Sequence, residues 1–196
     1  MLENPLDGTF WTNRWSQGQT GWDIGYPSPA LKKYVSEKVS KDAKVLIPGA
    51  GNAYEASWMM ENGWAHTHVL DIAHIPLANI QQRTPDFPAT QLIHTDFFKH
   101  QGRYDLVLEQ TFFCALPPYL RPNYAEKMAE LLPTGGKLAG LMFSFPLTEQ
   151  GPPFGGSKAE YEALFAPYFE ILTMETSEDS IKPRLGNELW VEMIRK

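Results

Sequence analysis

Cysteine, positive charge and long apolar runs are all scarce in this chain of 196 residues. The one cysteine, Cys114, cannot form an internal disulfide and is compatible with a reducing cytoplasm. Lysine and arginine number 17 against 23 acidic residues, without a basic run, which argues against the phosphate neutralisation that nucleic-acid binders need. No signal peptide and no apolar run of about 18 residues occurs, so we expect neither export nor a membrane span.

The rest of the composition is ordinary for one globular domain. Hydrophobic residues make up 43% and charged residues 20% of the chain, and this length supports a sizeable core. We predict a single domain over residues 27–196, preceded by an arm over residues 1–26. We expect a cytoplasmic protein with small-molecule partners, in the form of a monomer or a weak homodimer.

Residues 44–52, with the sequence KVLIPGAGN, organise the chain. An apolar run ends there in a glycine-rich turn at Gly49 and Gly51, and residues 53–61 read as a helix. Strand, tight turn and helix form the first βα unit of an open α/β sheet. Both glycines suit a positive φ or a close approach of a ligand to the backbone.

An acidic residue, Asp71, follows the second apolar run, residues 66–70. In nucleotide-binding α/β folds an acidic residue at this place accepts hydrogen bonds from ribose hydroxyls. A dinucleotide fingerprint would need a third glycine where Tyr54 stands, which counts against NAD. The pattern favours a nucleoside without phosphates, of which S-adenosylmethionine (SAM) is the common one; a plain glycine loop is the alternative.

Apolar and amphipathic segments alternate along the rest of the chain. Further strands are predicted at residues 66–70, 89–94, 104–109, 137–145, 169–174 and 188–194, and helices around residues 11–15, after residue 29, at 75–83, from 122 and at 158–165. This predicts an α/β fold: a seven-stranded, mostly parallel sheet with helices on both faces and an antiparallel last strand. This strand count is the one that the Rossmann-like fold of class I methyltransferases requires.

Several aromatic and acidic residues near the predicted carboxyl edge of the sheet can be interpreted in two ways. Trp11, Trp15 and Trp22 either pack the arm onto the sheet or close over a cationic ligand, which aromatic faces attract. Asp96, just past the third strand, either takes the amino group of an adenine or forms a turn.

The segment after the fourth strand, residues 110–118, is apolar and aromatic, and lines either a dry pocket or the core. We interpret Cys114 as a buried structural thiol because no histidine partner can be assigned to it. Arg121 either attracts an anionic acceptor or pairs with its own acidic helix, and we favour the pairing. His66 and His68 lack a third ligand, so we expect no metal.

An ordered set of short motifs resembles the thiopurine methyltransferase-like superfamily. The motifs, in chain order, are WTNRW (11–15), TGWD (20–23), IPGAG (47–51), LDI (70–72), DFF (96–98), FFCALP (112–117), RPNYA (121–125) and GPPF (151–154). They extend over nearly the whole chain. The FFCA run with the following Arg-Pro is most similar to the halide/thiol methyltransferase branch known from plants.

This resemblance implies SAM-dependent methyl transfer to a small soft nucleophile, namely a thiol, hydrosulfide or halide. It implies SAM contacts from Trp11, Trp15, Trp22, Gly49, Gly51, Asp71, Ile72, Asp96, Phe97 and Gln110. Asp71 would hold the ribose, Asp96 with Phe97 would flank adenine, and Gln110 would touch the methionine end. The candidate walls of the acceptor pocket are Phe112, Phe113 and Phe143. No catalytic side chain is expected, since a soft anion needs little base catalysis.

Two positions depart from the family pattern and bear on the identity of the acceptor. Gln110 stands where the plant halide/thiol enzymes have tyrosine and the thiopurine enzymes have arginine. Phe143 replaces a tyrosine that the plant enzymes carry near their substrate pocket. The alternatives are a detoxifying methyltransferase for thiopurines or for selenium or tellurium oxyanions, and a non-catalytic SAM-binding module.

Overall fold

The computed structural model of the protein describes residues 6–196, so residues 1–5 of the predicted arm lie outside the described part. Its strands are β1 (Val45–Pro48), β2 (Thr67–Asp71), β3 (Leu92–His94), β4 (Leu106–Gln110), β5 (Lys137–Phe143), β6 (Phe169–Thr176) and β7 (Glu188–Arg195). They form one sheet in the order β3-β2-β1-β4-β5-β7-β6. The first five strands are parallel, and β7 runs antiparallel between β5 and β6. The predicted fold class is confirmed.

Six α-helices are described in residues 6–196, and those after the first cover both faces of the sheet. They are α1 (Gly8–Ser16), α2 (Pro29–Lys38), α3 (Tyr54–Glu61), α4 (His74–Arg83), α5 (Arg121–Leu131) and α6 (Lys158–Phe165). Local sequence sets several of their starts: Asp7 accepts the N–H of Phe10 at the start of α1, and Ser157 accepts that of Glu160 at the start of α6. In this described part of the chain, no helix combines the length and the apolar character needed to cross a bilayer.

The alternation of side chains along the strands divides the core into two clusters. Leu46 and Val107 face one side, where they pack with α5 and α6. Val45 and Leu106 face the other side, where they pack with α2, α3 and α4. Because successive strand residues point to opposite faces, a central strand must be apolar throughout to bury both.

The second to seventh predicted strands differ from the observed ones by one to three residues at an end, and two of these differences have a clear cause. The third strand starts at Leu92, because the N–H of Gln91 bonds the carbonyl of Pro88 and residues 89–91 form a turn of 3-10 helix. The fifth strand ends at Phe143, because the carbonyl of Phe145 accepts the N–H of Gly156 in the following loop.

The order of the strands reverses between β1 and β4, which pair side by side. In open α/β sheets the connections that leave such a pair go to opposite faces, and a crevice forms beyond the carboxyl ends of the strands. This crevice is where the segments that follow β1, β2, β3, β4 and β5 come together.

Candidate active site

A cavity of about 590 Å³ lies at the carboxyl ends of the strands, within the range of roughly 300–1,000 Å³ that small-molecule sites occupy. Its lining has three main parts. The β1–β3 lining is Gly49, Gly51, Leu70, Asp71, Ile72, Asp96, Phe97 and Phe98. The β4–β5 lining is Thr111, Phe112, Cys114, Ala115, Leu116, Phe143, Pro152 and Pro153. The arm lining is Leu6, Asp7, Trp11, Arg14, Trp15, Gln19, Gly21 and Trp22, and Arg184 completes the wall.

The glycine turn after β1 has backbone that other residues rarely adopt. Gly49 has a φ of 56° and Gly51 a φ of 54°, which glycine reaches without steric cost. A Cβ on Gly51 would stand 3.4 Å from the Trp15 ring and 3.7 Å from Nε1 of Trp22. A Cβ on Gly49 would overlap the ring of Phe112. Gly49 therefore makes room for a side chain of the cavity wall, and Gly51 faces two tryptophans of the arm.

The Asp71 carboxylate is buried at the end of β2 and ties two turns together. One oxygen accepts the N–H of Gly51 at 2.9 Å, and the other accepts the N–H of Ala73 at 2.8 Å. Burial raises the pKa of Asp71, while these two donors act in the opposite direction. An ionised carboxylate has about four lone-pair sites, so acceptor capacity is left for hydroxyl groups of a ligand in the cavity.

Asp96 caps a turn, as one of its two interpretations predicted, and the residue also lines the cavity. Its Oδ1 accepts the N–H of Phe98 at 2.9 Å, at the start of the 3-10 helix over residues 97–99. The Phe97 ring is almost fully buried and packs edge-on against Phe112, with 5.1 Å between ring centroids. This places an acidic side chain next to an aromatic face at the cavity wall.

The three predicted tryptophans meet over the cavity. Trp22 makes edge contacts with Trp11 and Trp15, at centroid distances of 5.5 and 5.8 Å. The backbone carbonyl of Trp22 accepts a hydrogen bond from Nη2 of Arg184 at 2.8 Å. The aromatic faces and edges of the arm are thus held close to the glycine turn, where a cationic ligand would be attracted to them.

The β4–β5 lining is apolar, and the backbone beneath it is held by a buried carboxylate. Glu109 is fully buried, and its Oε1 accepts the N–H groups of Phe112 and Phe113, each at 2.9 Å. Its Oε2 accepts the hydroxyl of Tyr124. Burial raises the pKa of Glu109 to about 7. Thr111 between these residues has a φ of 58°, which few non-glycine residues adopt.

Arg184 is a site residue that sequence reasoning missed. Its guanidinium lies 5.6 Å from the centre of the Phe143 ring, and Nη1 stands 3.5 Å from the buried Glu188 carboxylate. It comes from the connection between β6 and β7, far along the chain from the other wall residues. Only the bend of the last hairpin brings it to the cavity, and no local motif in the sequence indicates that.

Most of the predicted site residues line the cavity, but two lie elsewhere. Gln110 lines a smaller neighbouring cavity of about 60 Å³, together with Asp23, Tyr54 and Gly49. The structure places Phe113 in the core instead of the pocket wall: its side chain is 1% exposed and packs against neighbouring aromatic rings. The left-handed Thr111 shifts the register of the turn, so that the side chains of Phe112 and Cys114 face the cavity.

Two further side chains clarify what the site contains. Cys114 is a buried thiol whose pKa is raised by burial, and its Sγ contacts the carbonyl of Thr111 at 3.4 Å.

Arg121 does not line the cavity and does not pair with its own helix. Its partner is Glu160 of α6, at 2.6 Å. The favoured pairing was therefore wrong in its partner, because the guanidinium bonds Glu160 of α6 and the carbonyl of Gly155.

The arrangement fits SAM. The glycine turn forms part of the cavity wall, Asp71 offers acceptor capacity, Asp96 adjoins Phe97 in the chain, and three tryptophans line the same cavity. In residues 6–196 no group of three or more His, Cys, Asp or Glu side chains is arranged to hold a metal ion. The buried carboxylate and the tryptophans suit an organic cofactor with a ribose and a positive charge.

Fold and site define a SAM-dependent methyltransferase of the Rossmann-like class. The family model described as thiopurine S-methyltransferase matches residues 6–195. This chain belongs to that family, and the predicted resemblance and SAM as the cofactor are confirmed.

Relatives in the family differ in the acceptor for which they are named. A probable thiol methyltransferase 2 of Arabidopsis thaliana is 32% identical over 96% of this chain and 84% of its own length. Thiocyanate methyltransferase 1 of Brassica oleracea is 28% identical over 96% of this chain and 85% of its own. Thiopurine S-methyltransferase of Acinetobacter baylyi is 24% identical over 93% of this chain and 96% of its own length.

A solved structure agrees with the fold. The Burkholderia thailandensis 1,6-didemethyltoxoflavin-N1-methyltransferase, with its substrate and S-adenosylhomocysteine bound, superposes with a TM-score of 0.77. The match covers 96% of this chain and 86% of that one, at 18% identity. At this identity the match supports the architecture of the sheet and helices.

Proposed function

We propose that this enzyme transfers the methyl group of SAM to the sulfur of a small nucleophile such as a thiol, hydrosulfide or thiocyanate. The observation that carries the proposal is the chemistry of the β4–β5 lining, which is apolar and contains no carboxylate and no imidazole. An acceptor wall without a general base suits an acceptor that is already anionic or acidic enough to ionise in solution. The names of the plant relatives support the same class of acceptor.

With a soft anion as the acceptor, the main contribution of the protein is to align the nucleophile with the methyl group of SAM. SAM supplies a methyl group on a positively charged sulfur, which a thiolate can displace without a proton transfer in the same step. The apolar walls, Phe112 and Phe143 among them, would exclude water from the nucleophile. Correct alignment of two reactants can lower a barrier by on the order of 7 kcal/mol or more.

Support for the placement of SAM comes from the β1–β3 lining and the arm. In this proposal Asp71 binds the ribose hydroxyls, and Asp96 with Phe97 flanks adenine. Residues 1–26 act as an arm whose tryptophans cover the sulfonium, and residues 27–196 form the methyltransferase domain. The smaller cavity beside Gly49 suits the methionine end of SAM, and we assign Gln110 to that end because it lines this cavity.

A thiopurine is the second candidate acceptor. The cavity of about 590 Å³ is large for a nucleoside and a triatomic anion alone, and the Acinetobacter relative is named for thiopurines. Halides remain within the proposed chemistry because they are soft anions that need no base. We further propose that the enzyme acts in the cytoplasm on small molecules and not on nucleic acid, in keeping with its net charge of −6.

The test is methyl transfer from labelled SAM to a panel of acceptors. The panel contains hydrosulfide, a small thiol, an aryl thiol, thiocyanate, iodide and a thiopurine. We expect turnover with at least one sulfur acceptor, and the ranking of the panel identifies the preferred class. If every acceptor stays at background while S-adenosylhomocysteine binds, the protein is a non-catalytic SAM-binding module and the proposed activity is lost.

A further inference from the structure

Two chain segments form most of the β4–β5 lining, and they are joined to each other. We name residues 111–114 the turn segment and residues 152–155 the proline segment. The N–H of Phe154 donates to the carbonyl of Cys114 at 2.7 Å, which connects the two. The turn segment follows β4 directly and enters the 3-10 helix over residues 113–115, and the proline segment lies in the loop between β5 and α6. Because neither segment is part of the sheet, their separation depends on contacts with the layer behind them.

The turn segment is held from behind by Glu109. This carboxylate receives all three of its hydrogen bonds from the segment and from α5: two from N–H groups of Phe112 and Phe113, and one from the hydroxyl of Tyr124. The left-handed backbone of Thr111 costs free energy, and such a conformation persists only where the surrounding structure holds it in place. Glu109 provides that hold, because its Oε1 accepts both N–H groups of the turn, those of Phe112 and Phe113.

The proline segment is held from behind by Arg121, the first residue of α5. Its side chain is 3% exposed, and Nη2 donates to the carbonyl of Gly155 at 2.7 Å. The same guanidinium lies 4.8 Å from the centre of the Phe113 ring. Arg121 therefore contacts both segments at once, and Glu160 neutralises its charge from α6.

We propose that Glu109 and Arg121 are positioning residues that set the spacing of the two segments and, through it, the range of acceptors. Neither side chain belongs to the cavity lining, so both act through the segments that they hold. The first turn of α5 carries Arg121 and Tyr124 and thus serves both segments. This inference rests on the proposed function, because it places the acceptor between the segments.

The hydrogen bonds of the two residues separate this role from that of an ordinary buried ion pair. Buried ion pairs can often be replaced by apolar residues without loss of stability. Here the groups do not pair with each other, and four of their hydrogen bonds end on backbone of the two segments. Of these bonds, those of Glu109 hold N–H groups and those of Arg121 hold carbonyls, which no apolar side chain can replace.

Matched control residues exist at the opposite edge of the sheet. Arg195 donates to the carbonyls of Ala129 and Tyr168, each at 3.1 Å, as Arg121 does to its loop. Glu192 accepts the hydroxyl of Tyr34 at 2.9 Å, as Glu109 does that of Tyr124. We therefore compare Arg121→Lys with Arg195→Lys, and Glu109→Gln with Glu192→Gln.

The experiment measures kcat/KM for hydrosulfide and for an aryl thiol, together with the Kd of S-adenosylhomocysteine by calorimetry. In Arg121→Lys and Glu109→Gln we expect kcat/KM for the aryl thiol to fall by on the order of tenfold to a hundredfold. Hydrosulfide touches fewer wall atoms, so the ratio of aryl thiol to hydrosulfide should fall by roughly tenfold. The Kd of S-adenosylhomocysteine should stay within about twofold, and the two control variants should match the wild type.

Two results would overturn the inference. One is an unchanged acceptor ratio in folded variants. The other is a parallel loss of both acceptors and of S-adenosylhomocysteine binding, which is the signature of a general structural defect. If Arg121→Lys and Glu109→Gln do not fold, Tyr124→Phe decides by the same ratio. A wild-type enzyme without activity on either acceptor contradicts the proposed function instead, and is distinguished by the wild-type assay alone.

Discussion

The β1–β3 lining and the β4–β5 lining meet in one cavity but are built in different ways. In the β1–β3 lining each polar group is held by its immediate chain neighbours or by the adjacent strand, as Asp71 is by Ala73 and Gly51. The β4–β5 lining is held by helix α5: Arg121 of this helix reaches the carbonyl of Gly155, and Tyr124 of the same helix reaches Glu109. The polar groups of the first lining are held by turns at the edge of the sheet, and those of the second by a helix packed behind the wall.

This difference separates two properties of the enzyme. The cofactor is common to the family, and the groups proposed to bind it come from strand-to-helix turns that short motifs specify. The acceptor for which the relatives are named differs among them. The position of the walls proposed to bind it depends on Glu109 and Arg121, which lie in the layer behind these walls. Changes in the layer behind the walls can therefore alter the acceptor while leaving the cofactor site intact.

The largest effect is expected from Asp71→Ala, which breaks the β1–β3 lining. The change removes the proposed ribose acceptor and leaves the N–H groups of Gly51 and Ala73 without their partner, at about 1–3 kcal/mol for each such group. We expect the affinity for S-adenosylhomocysteine to fall by on the order of a hundredfold or more, measured by calorimetry. Asp105→Asn is the control, because Asp105 accepts the N–H of Lys44 at the opposite edge of the sheet. Equal losses in both variants would contradict the assignment.

The second effect concerns stability in the β4–β5 lining. The pKa of Glu109 is about 7 in the folded protein, against an ordinary value of 4.5. The folded state thus binds the proton of the Glu109 carboxyl more tightly than the unfolded state does. The stabilisation that results from this proton is complete below pH 4.5 and is lost as the pH rises through 7. Between roughly pH 5 and pH 8, urea unfolding of the wild type should lose on the order of 2 kcal/mol more than that of Glu109→Gln. Parallel pH profiles of the two proteins would refute this.

A smaller effect is expected from Trp22→Ala in the arm lining. The change removes the ring that contacts both Trp11 and Trp15. A cation facing an aromatic ring gains about 0.5–2 kcal/mol, so SAM should bind roughly tenfold more weakly. S-adenosylhomocysteine lacks the positive charge and should lose less. Trp58→Ala on α3 is the control. If Trp22→Ala lost equal affinity for SAM and for S-adenosylhomocysteine, the tryptophans would not act as a cover for the sulfonium.

The smallest effect is expected from Cys114→Ala. Burial raises the pKa of this thiol, so it is neutral at physiological pH and is no nucleophile. Although Cys114 lines the cavity, kcat with a thiol acceptor should stay within about threefold of the wild type, since the change removes only one small buried group. A loss of several orders of magnitude would assign Cys114 a direct part in the reaction.

The sequence allowed a better prediction of the β1–β3 lining than of the β4–β5 lining. Gly49, Gly51 and Asp71 follow strands directly, and a strand end fixes the edge of the sheet to which they belong. Phe113 was misplaced because the left-handed Thr111 changes which side chains of the turn face the cavity, and no periodicity reveals a single left-handed residue. Arg184 was missed because it reaches the cavity only through the last hairpin.

The central claim is that SAM binds along the β1–β3 lining with its sulfur directed at the β4–β5 lining. A crystal structure with S-adenosylhomocysteine tests it most directly. We predict the ribose on Asp71, the adenine beside Phe97, and the sulfur facing the space between Phe112 and Phe143, beneath Trp22. A ligand whose sulfur points away from that space, or whose ribose lies apart from Asp71, would contradict the account.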